Sequence, residues 1–257
     1  MNSISIFGIY AVWHRNLRLY LKTWFINCLP PLFEPITYLF AFAIGMSPMI
    51  KELAYFGKQV SYAEFILPGM MGIGVITQGF TEGAYGIFVR IRYQRTWHAM
   101  LTAPLTINDI FFGEIFWAAT KALLSSALTA LVGIIFNIYS FQAYCTAFPA
   151  ILIACVLFAA MGALTAGVII SIDQINVPMF LFIVPMSVIC GTYFPRSGLP
   201  STFKTFVDFL PLSPLIDLCR NHLAPAENSF VCYVVLVSWL VFSLFSARYF
   251  LIRKILK

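Results

Sequence analysis

The sequence predicts an all-α integral membrane protein with six transmembrane helices, an N-terminal amphipathic interfacial helix and a proline-broken segment before the last span. Two observations carry this. Hydrophobic residues fill 61% of the 257 positions and charged residues only 10%, with a mean hydropathy of +0.88, whereas ordinary soluble domains are about a quarter charged. The apolar runs also extend along almost the whole chain, so no stretch is polar and long enough to fold as a separate module. One membrane domain, residues 1–257, is therefore expected.

The elements follow in order. Over residues 4–25, Ile6, Phe7, Tyr10, Trp13, Leu17, Leu21 and Trp24 share one helical face and Arg15, Arg18 and Lys22 largely another. That pattern predicts a helix lying in the membrane interface. The first span is expected at about 29–50, with Pro30, Pro31 and Pro35 near its start, where a missing N–H costs least. A polar stretch, 51–64, precedes the second span, 65–89, whose six glycines (Gly69, Gly72, Gly74, Gly79, Gly83 and Gly86) predict close helix packing. Further spans are expected at 108–136, 144–170, 177–194 and 229–251, each near the length that crosses the hydrocarbon core. The segment 195–225 mixes Pro195, Pro200, Pro211, Pro214 and Pro225 with Phe203, Phe206, Phe209 and Leu210. Too broken to span, it is expected to form short helices that dip into the outer leaflet or line a cavity mouth.

Charge sets the expected orientation. With both termini cytoplasmic, ten Lys and Arg residues fall on the inner side and five (Lys51, Lys58, Arg196, Lys204 and Arg220) on the outer, as the positive-inside rule requires. The net charge of +6 accordingly marks a membrane side and not a nucleic-acid partner. Six cysteines without a CxxC pair predict neither a metal site nor a disulfide framework.

Catalysis finds little support. No G-x-x-x-x-G-K-[ST] loop occurs, so the chain cannot hydrolyse ATP by that route. His14, His98 and His222 are scattered, with no arranged nucleophile and base. Ionisable residues inside apolar runs are better pointers, because charge in hydrocarbon is expensive and such groups face a bundle interior or a polar cavity. They are Glu34, Glu82, Glu114 and Lys121. Glu114 and Lys121, seven residues apart, lie about 10 Å apart along one helix, so their partners are expected on other helices. These residues either satisfy one another structurally or line a route or gate; Glu82, Glu114 and Lys121 are the candidates for the latter.

The stretches GFTEGAYGIFVRIRYQRTWHAMLTAPLTINDIFFGEIFWAATKALL (79–124), GTYFPRSGLP (191–200) and FLPLSPLIDLCR (209–220) resemble the membrane subunits of type-2 ATP-binding-cassette exporters, within them the NodJ-like lipooligosaccharide export permeases. Together with the hydropathy around them, the resemblance covers nearly the whole chain. It implies a cytoplasmic coupling helix at about 92–102, with Arg92, Tyr93, Gln94, Arg95, Thr96 and Trp97 meeting a separate ATPase subunit, and re-entrant extracellular helices at about 195–225. It also implies two copies of this chain working with two ATPase subunits. ATP and Mg would be bound by that partner and no cofactor by this chain. The cargo it implies is an amphiphile such as a lipid-linked oligosaccharide, in a bacterial inner membrane. Drug or phospholipid export, proton-coupled secondary transport and a non-transporting scaffold are the alternatives.

Overall fold

In the computed structural model, residues 5–41, 53–224 and 228–255 are described. Among the described residues, the regular structure is helical apart from one small hairpin. Helix α1 (Ile6–Lys22) is capped by Ser5, whose Oγ accepts from the Gly8 amide, satisfying one of the four orphan N–H groups of a helix start. After a break at Thr23, α2 covers Trp24–Leu39. The expected span at 29–50 continues beyond position 41, and that part lies outside the described residues.

The polar stretch that follows is not featureless. Strands β1 (Leu53–Tyr55) and β2 (Lys58–Val60) pair antiparallel with Tyr55 opposite Lys58. Their two-residue turn places Phe56 at φ 48° and Gly57 at φ 76°, the positive values that a tight hairpin turn requires at both central positions.

Helix α3 (Tyr62–Arg92) opens on a Ser61–Glu64 capping box, in which the Glu64 carboxylate accepts from the Ser61 amide at 3.1 Å. It is α-helical to Thr81, widens into a π segment over Glu82–Gly86, and returns to α over Ile87–Arg92. A turn at 93–95 leads to the short α4 (Thr96–Leu101). Then come α5 (Ile107–Ile135), α6 (Phe141–Val168), α7 (Ile172–Ile189), α8 (Ser201–Phe209), α9 (Leu212–Cys219) and α10 (Ser229–Ile255). Among the described residues five helices are long and apolar enough to cross a membrane: α3, α5, α6, α7 and α10. The proline-rich segment is broken into short helices, as expected. Within the window of about 92–102 implied for a coupling helix, α3 ends at Arg92, the chain bends at 93–95 with Arg95 at φ 50°, and α4 is the helix that follows.

Burial orders the bundle. The most apolar window of α3 is 83% buried, against 17% for α7 and 22% for α10, so α3 is the centre and the latter two form the periphery. Helix α6 joins them, packing on α3, α5 and most extensively on α10. Its crossing with α3 is backbone on backbone: a Cβ added at Gly83 would sit 2.3 Å from the Ala159 carbonyl oxygen, and one at Gly162 2.3 Å from that of Phe80. Such an approach is open only to glycine, the usual device where apolar attraction between helices is absent in lipid.

Helix α1 turns Gly8, Val12 and Asn16 toward the protein, while Ile6, Phe7, Tyr10 and Leu21 are exposed. Most of the apolar face read from the sequence therefore points away from the bundle, as a helix bathed in the interface requires, while Trp13 and Leu17 are half-buried.

Candidate functional site

The starts of α1 and α5 share one carboxylate. Asp109 accepts from the Ser5 amide at 2.7 Å through Oδ1 and from the Thr106 amide at 2.9 Å through Oδ2. Farther along, the Trp13 indole N–H donates to Thr120 Oγ1 at 3.0 Å. These contacts fix the register of α1 on α5, and so decide what Arg15, Asn16 and Tyr20 reach.

They reach a buried ionic cluster. Arg90 lies between two carboxylates, with Nη2 on Glu82 and Nη1 donating to Glu114 Oε2 at 2.6 Å. Glu82 also accepts from Lys121 Nζ at 2.8 Å and from the Trp117 indole at 2.9 Å. Glu114 accepts from Asn16 Nδ2 at 3.1 Å and lies 3.7 Å from the Arg15 guanidinium. The Glu114 side chain has no exposure at all, and those of Glu82 and Arg90 are 10% and 15% exposed. Three cations therefore face two carboxylates, on α1, α3 and α5. Desolvation on this scale is repaid only by close, multiply hydrogen-bonded geometry; Glu82, Arg90 and Lys121 have it, whereas Arg15 faces Glu114 at 3.7 Å and Arg15 Nε and Glu114 Oε1 are buried without a hydrogen bond.

Local structure brings Glu82 and Arg90 together. Eight residues at 3.6 per turn would leave them about 80° apart around an α-helix. The π segment between them takes up additional chain per turn and brings Arg90 onto the face of Glu82. Gly86 keeps that face open: a Cβ there would meet Glu82 Oε1 at 2.7 Å and Arg90 Nη1 at 3.2 Å.

The cluster reaches the short helix α4. Thr96 Oγ1 donates to the Arg90 carbonyl at 3.0 Å, and Arg15 Nη1 contacts Met100 Sδ at 3.2 Å. Of the residues assigned to the coupling contact, Arg92, Tyr93, Gln94 and Arg95 are exposed and Thr96 is half-buried. Trp97 departs from that assignment, being 0% exposed. An indole inside its own chain anchors α4 from behind and presents no surface to a partner.

Glu82, Glu114 and Lys121, read separately from the sequence, thus converge, and Glu114 and Lys121 each pair with α3 and not with one another. The side chain of Glu34 lies outside the described part. In the sequence Arg90 is simply one of the ten inner-side bases, and Arg15 a member of the polar face of α1. The legible signal was opposite charge at Glu82 and Arg90 within one apolar helix.

A second polar cluster lies among the short helices. Arg196 bridges Asp208 and Asp217. Arg220, buried and stacked 3.7 Å from the centre of the Phe65 ring, donates to the carbonyls of Phe65 at 3.0 Å, Gly191 at 2.7 Å and Thr192 at 3.1 Å. Burial pulls its pKa below the ordinary guanidinium value. These bonds tie α9 to α3 and to the end of α7, closing that end of the bundle.

The model of the ABC-2 type transporter family matches residues 8–223, a span holding both clusters and the turn into α4. The chain belongs to the ABC-2 type transporter family. Relatives agree. Nodulation protein J of Rhizobium leguminosarum bv. trifolii is 33% identical over 249 residues, covering 96% of this chain and 94% of the relative. Nodulation protein J of Rhizobium leguminosarum bv. viciae is 34% identical over 222 residues, 86% and 84% of the two chains. The inner membrane transport permease YadH of Escherichia coli K12 is 20% identical over 207 residues, 80% and 79%. As an ABC-2 protein the chain is a multi-pass membrane permease and lacks the ATPase motif.

Proposed function

We propose that this chain is the permease of an ATP-driven exporter that moves an amphiphile, a lipid-linked oligosaccharide in the first instance, with two copies of the chain served by two ATPase subunits. Both termini face the cytoplasm of a bacterial cell whose inner membrane holds the complex. The ATPase subunit meets the exposed turn Arg92, Tyr93, Gln94 and Arg95, and it alone binds ATP and Mg. The observation that carries this reading is the buried cluster around Arg90, which joins that turn and α4 to α1, α3 and α5. Closure of the ATPase pushes the turn; because packed helices hold discrete arrangements, the push selects a second packing of α3 against α5. The resemblance of the 79–124, 191–200 and 209–220 stretches to lipooligosaccharide export permeases favours a glycolipid-like cargo over a drug.

The test is reconstitution of the permease with its ATPase in proteoliposomes, following ATP hydrolysis and release of a labelled lipid-linked glycan together. Glu82→Gln is expected to leave hydrolysis and abolish most export. Transport that persists without any ATPase subunit overturns the reading and makes the chain a secondary transporter.

A further inference from the structure

The ends of α3, α6 and α10 enclose two hollows, of 350 and 640 Å³, that share Arg92 and Lys254 as walls. Around them stand Arg92, Arg95, His98, Arg253 and Lys254, and no carboxylate is among the lining residues. Lys254 is already fixed: its ammonium donates to the Ala166 and Ile169 carbonyls, both at 2.6 Å, and lies 4.6 Å from the centre of the Phe88 ring. Two of its three N–H donors are thereby used. Among the described residues, the side chains of Arg92, Arg95 and His98 make no hydrogen bond or ion pair with the protein. One rim of the groove is apolar and uncovered, with Val168 56%, Ile170 77% and Phe250 40% exposed.

We propose that this groove binds the phosphate headgroup of an anionic membrane lipid, whose acyl chains run along Val168, Ile170 and Phe250. Concentrated positive charge without a counter-ion is self-repelling, and a phosphate relieves it through charge-assisted hydrogen bonds to the guanidinium groups. A free phosphate would satisfy the charges and leave the apolar rim bare; a lipid covers both. Basic pockets between transmembrane helices at a membrane surface have this headgroup chemistry. The proposal rests on the membrane placement of the chain; because the groove shares Arg92 and Arg95 with the turn assigned to the ATPase subunit, its test reads lipid binding and ATPase retention separately.

The experiment is native mass spectrometry of the full chain, purified with any ATPase subunit that accompanies it, titrated with phosphatidylglycerol or phosphatidylethanolamine. Phosphatidylglycerol is expected to bind in preference. The double variant Arg92→Gln/Arg253→Gln should weaken it roughly tenfold or more, given the attraction of each cation for an anionic lipid. Arg18→Gln/Lys22→Gln, the same loss of charge on α1, should leave it unchanged. Equal binding of the two lipids, or equal loss in the α1 variant, overturns the proposal. Displacement by inorganic phosphate alone would make this a phosphate site instead. If Arg92→Gln/Arg253→Gln sheds the ATPase subunit while phosphatidylglycerol binding stays intact, the groove is a protein contact and the lipid assignment fails.

Discussion

Arg90 and Glu114 meet at 2.6 Å across the packed faces of α3 and α5, and Glu114 is wholly enclosed. Removing Glu114 leaves Arg90 with Glu82 alone and takes from Arg15 the carboxylate it faces. Glu114→Ala is expected to destabilise the detergent-solubilised protein by about 3–5 kcal/mol, the usual result of breaking a buried ion pair, whereas Arg90→Met with Glu114→Leu should recover part of that loss. Thermal unfolding of the three forms checks this. A Glu114→Ala protein as stable as the parent would mean that the contact contributes nothing.

Arg95 and Trp97 stand two residues apart with opposite surroundings, one exposed at φ 50° and the other fully buried. Arg95→Gly keeps a backbone that tolerates positive φ while removing the side chain, so unfolding should shift by less than about 1 kcal/mol. Export should nonetheless fall while hydrolysis continues. Trp97→Ala is expected to cost about 3–5 kcal/mol through the cavity it leaves. Retained coupling in Arg95→Gly would remove Arg95 from the ATPase contact.

Gly86 leaves room for the bridge between Glu82 and Arg90. Gly86→Ala should therefore reproduce the export defect of Glu82→Gln. Because both act on one ion pair, the double variant should be no worse than either single one, the non-additivity expected of residues that share an interaction. Additive losses in the export assay would separate Gly86 from the cluster.

The crossing at Gly83 and Gly162 is bounded by backbone, which cannot swing aside as a side chain can. Gly162→Ala is expected to destabilise by at least about 1–3 kcal/mol, the range of overpacked sites. Gly198→Ala, where nothing lies within 4 Å of the added Cβ, should be silent. Parallel unfolding curves for the two variants decide it.

Much of the architecture was written in hydropathy alone. Apolar runs located α3, α5, α6 and α10 to within a few residues, and the prolines after Tyr193 marked the broken segment, because both signals are local. What escaped was long-range. Arg90 looked like one more base of a cytoplasmic loop, since nothing in an α-helical reading brings it onto the face of Glu82. The intervening π segment does so, and π geometry leaves no clear mark in composition. Trp97 entered the contact only as part of the stretch that the resemblance implies; the packed helices show the indole turned inward. The hairpin at 53–60 was hidden by its brevity, three residues per strand.

Helix α3 carries its own counter-ion. Its mean hydropathy, 1.2, is the lowest of the five candidate spans, and a charged residue at the centre of an inserting helix is penalised by about 2.5–3.5 kcal/mol. During biogenesis α3 leaves the ribosome before α5 exists, so neither Glu114 nor Lys121 is there to meet its charges. The bridge between Glu82 and Arg90 is internal to α3, and a nascent helix already wound through the π segment would present the membrane-insertion machinery with a neutralised pair. The π turn that builds the finished cluster thus also makes its central helix easier to deliver into the bilayer.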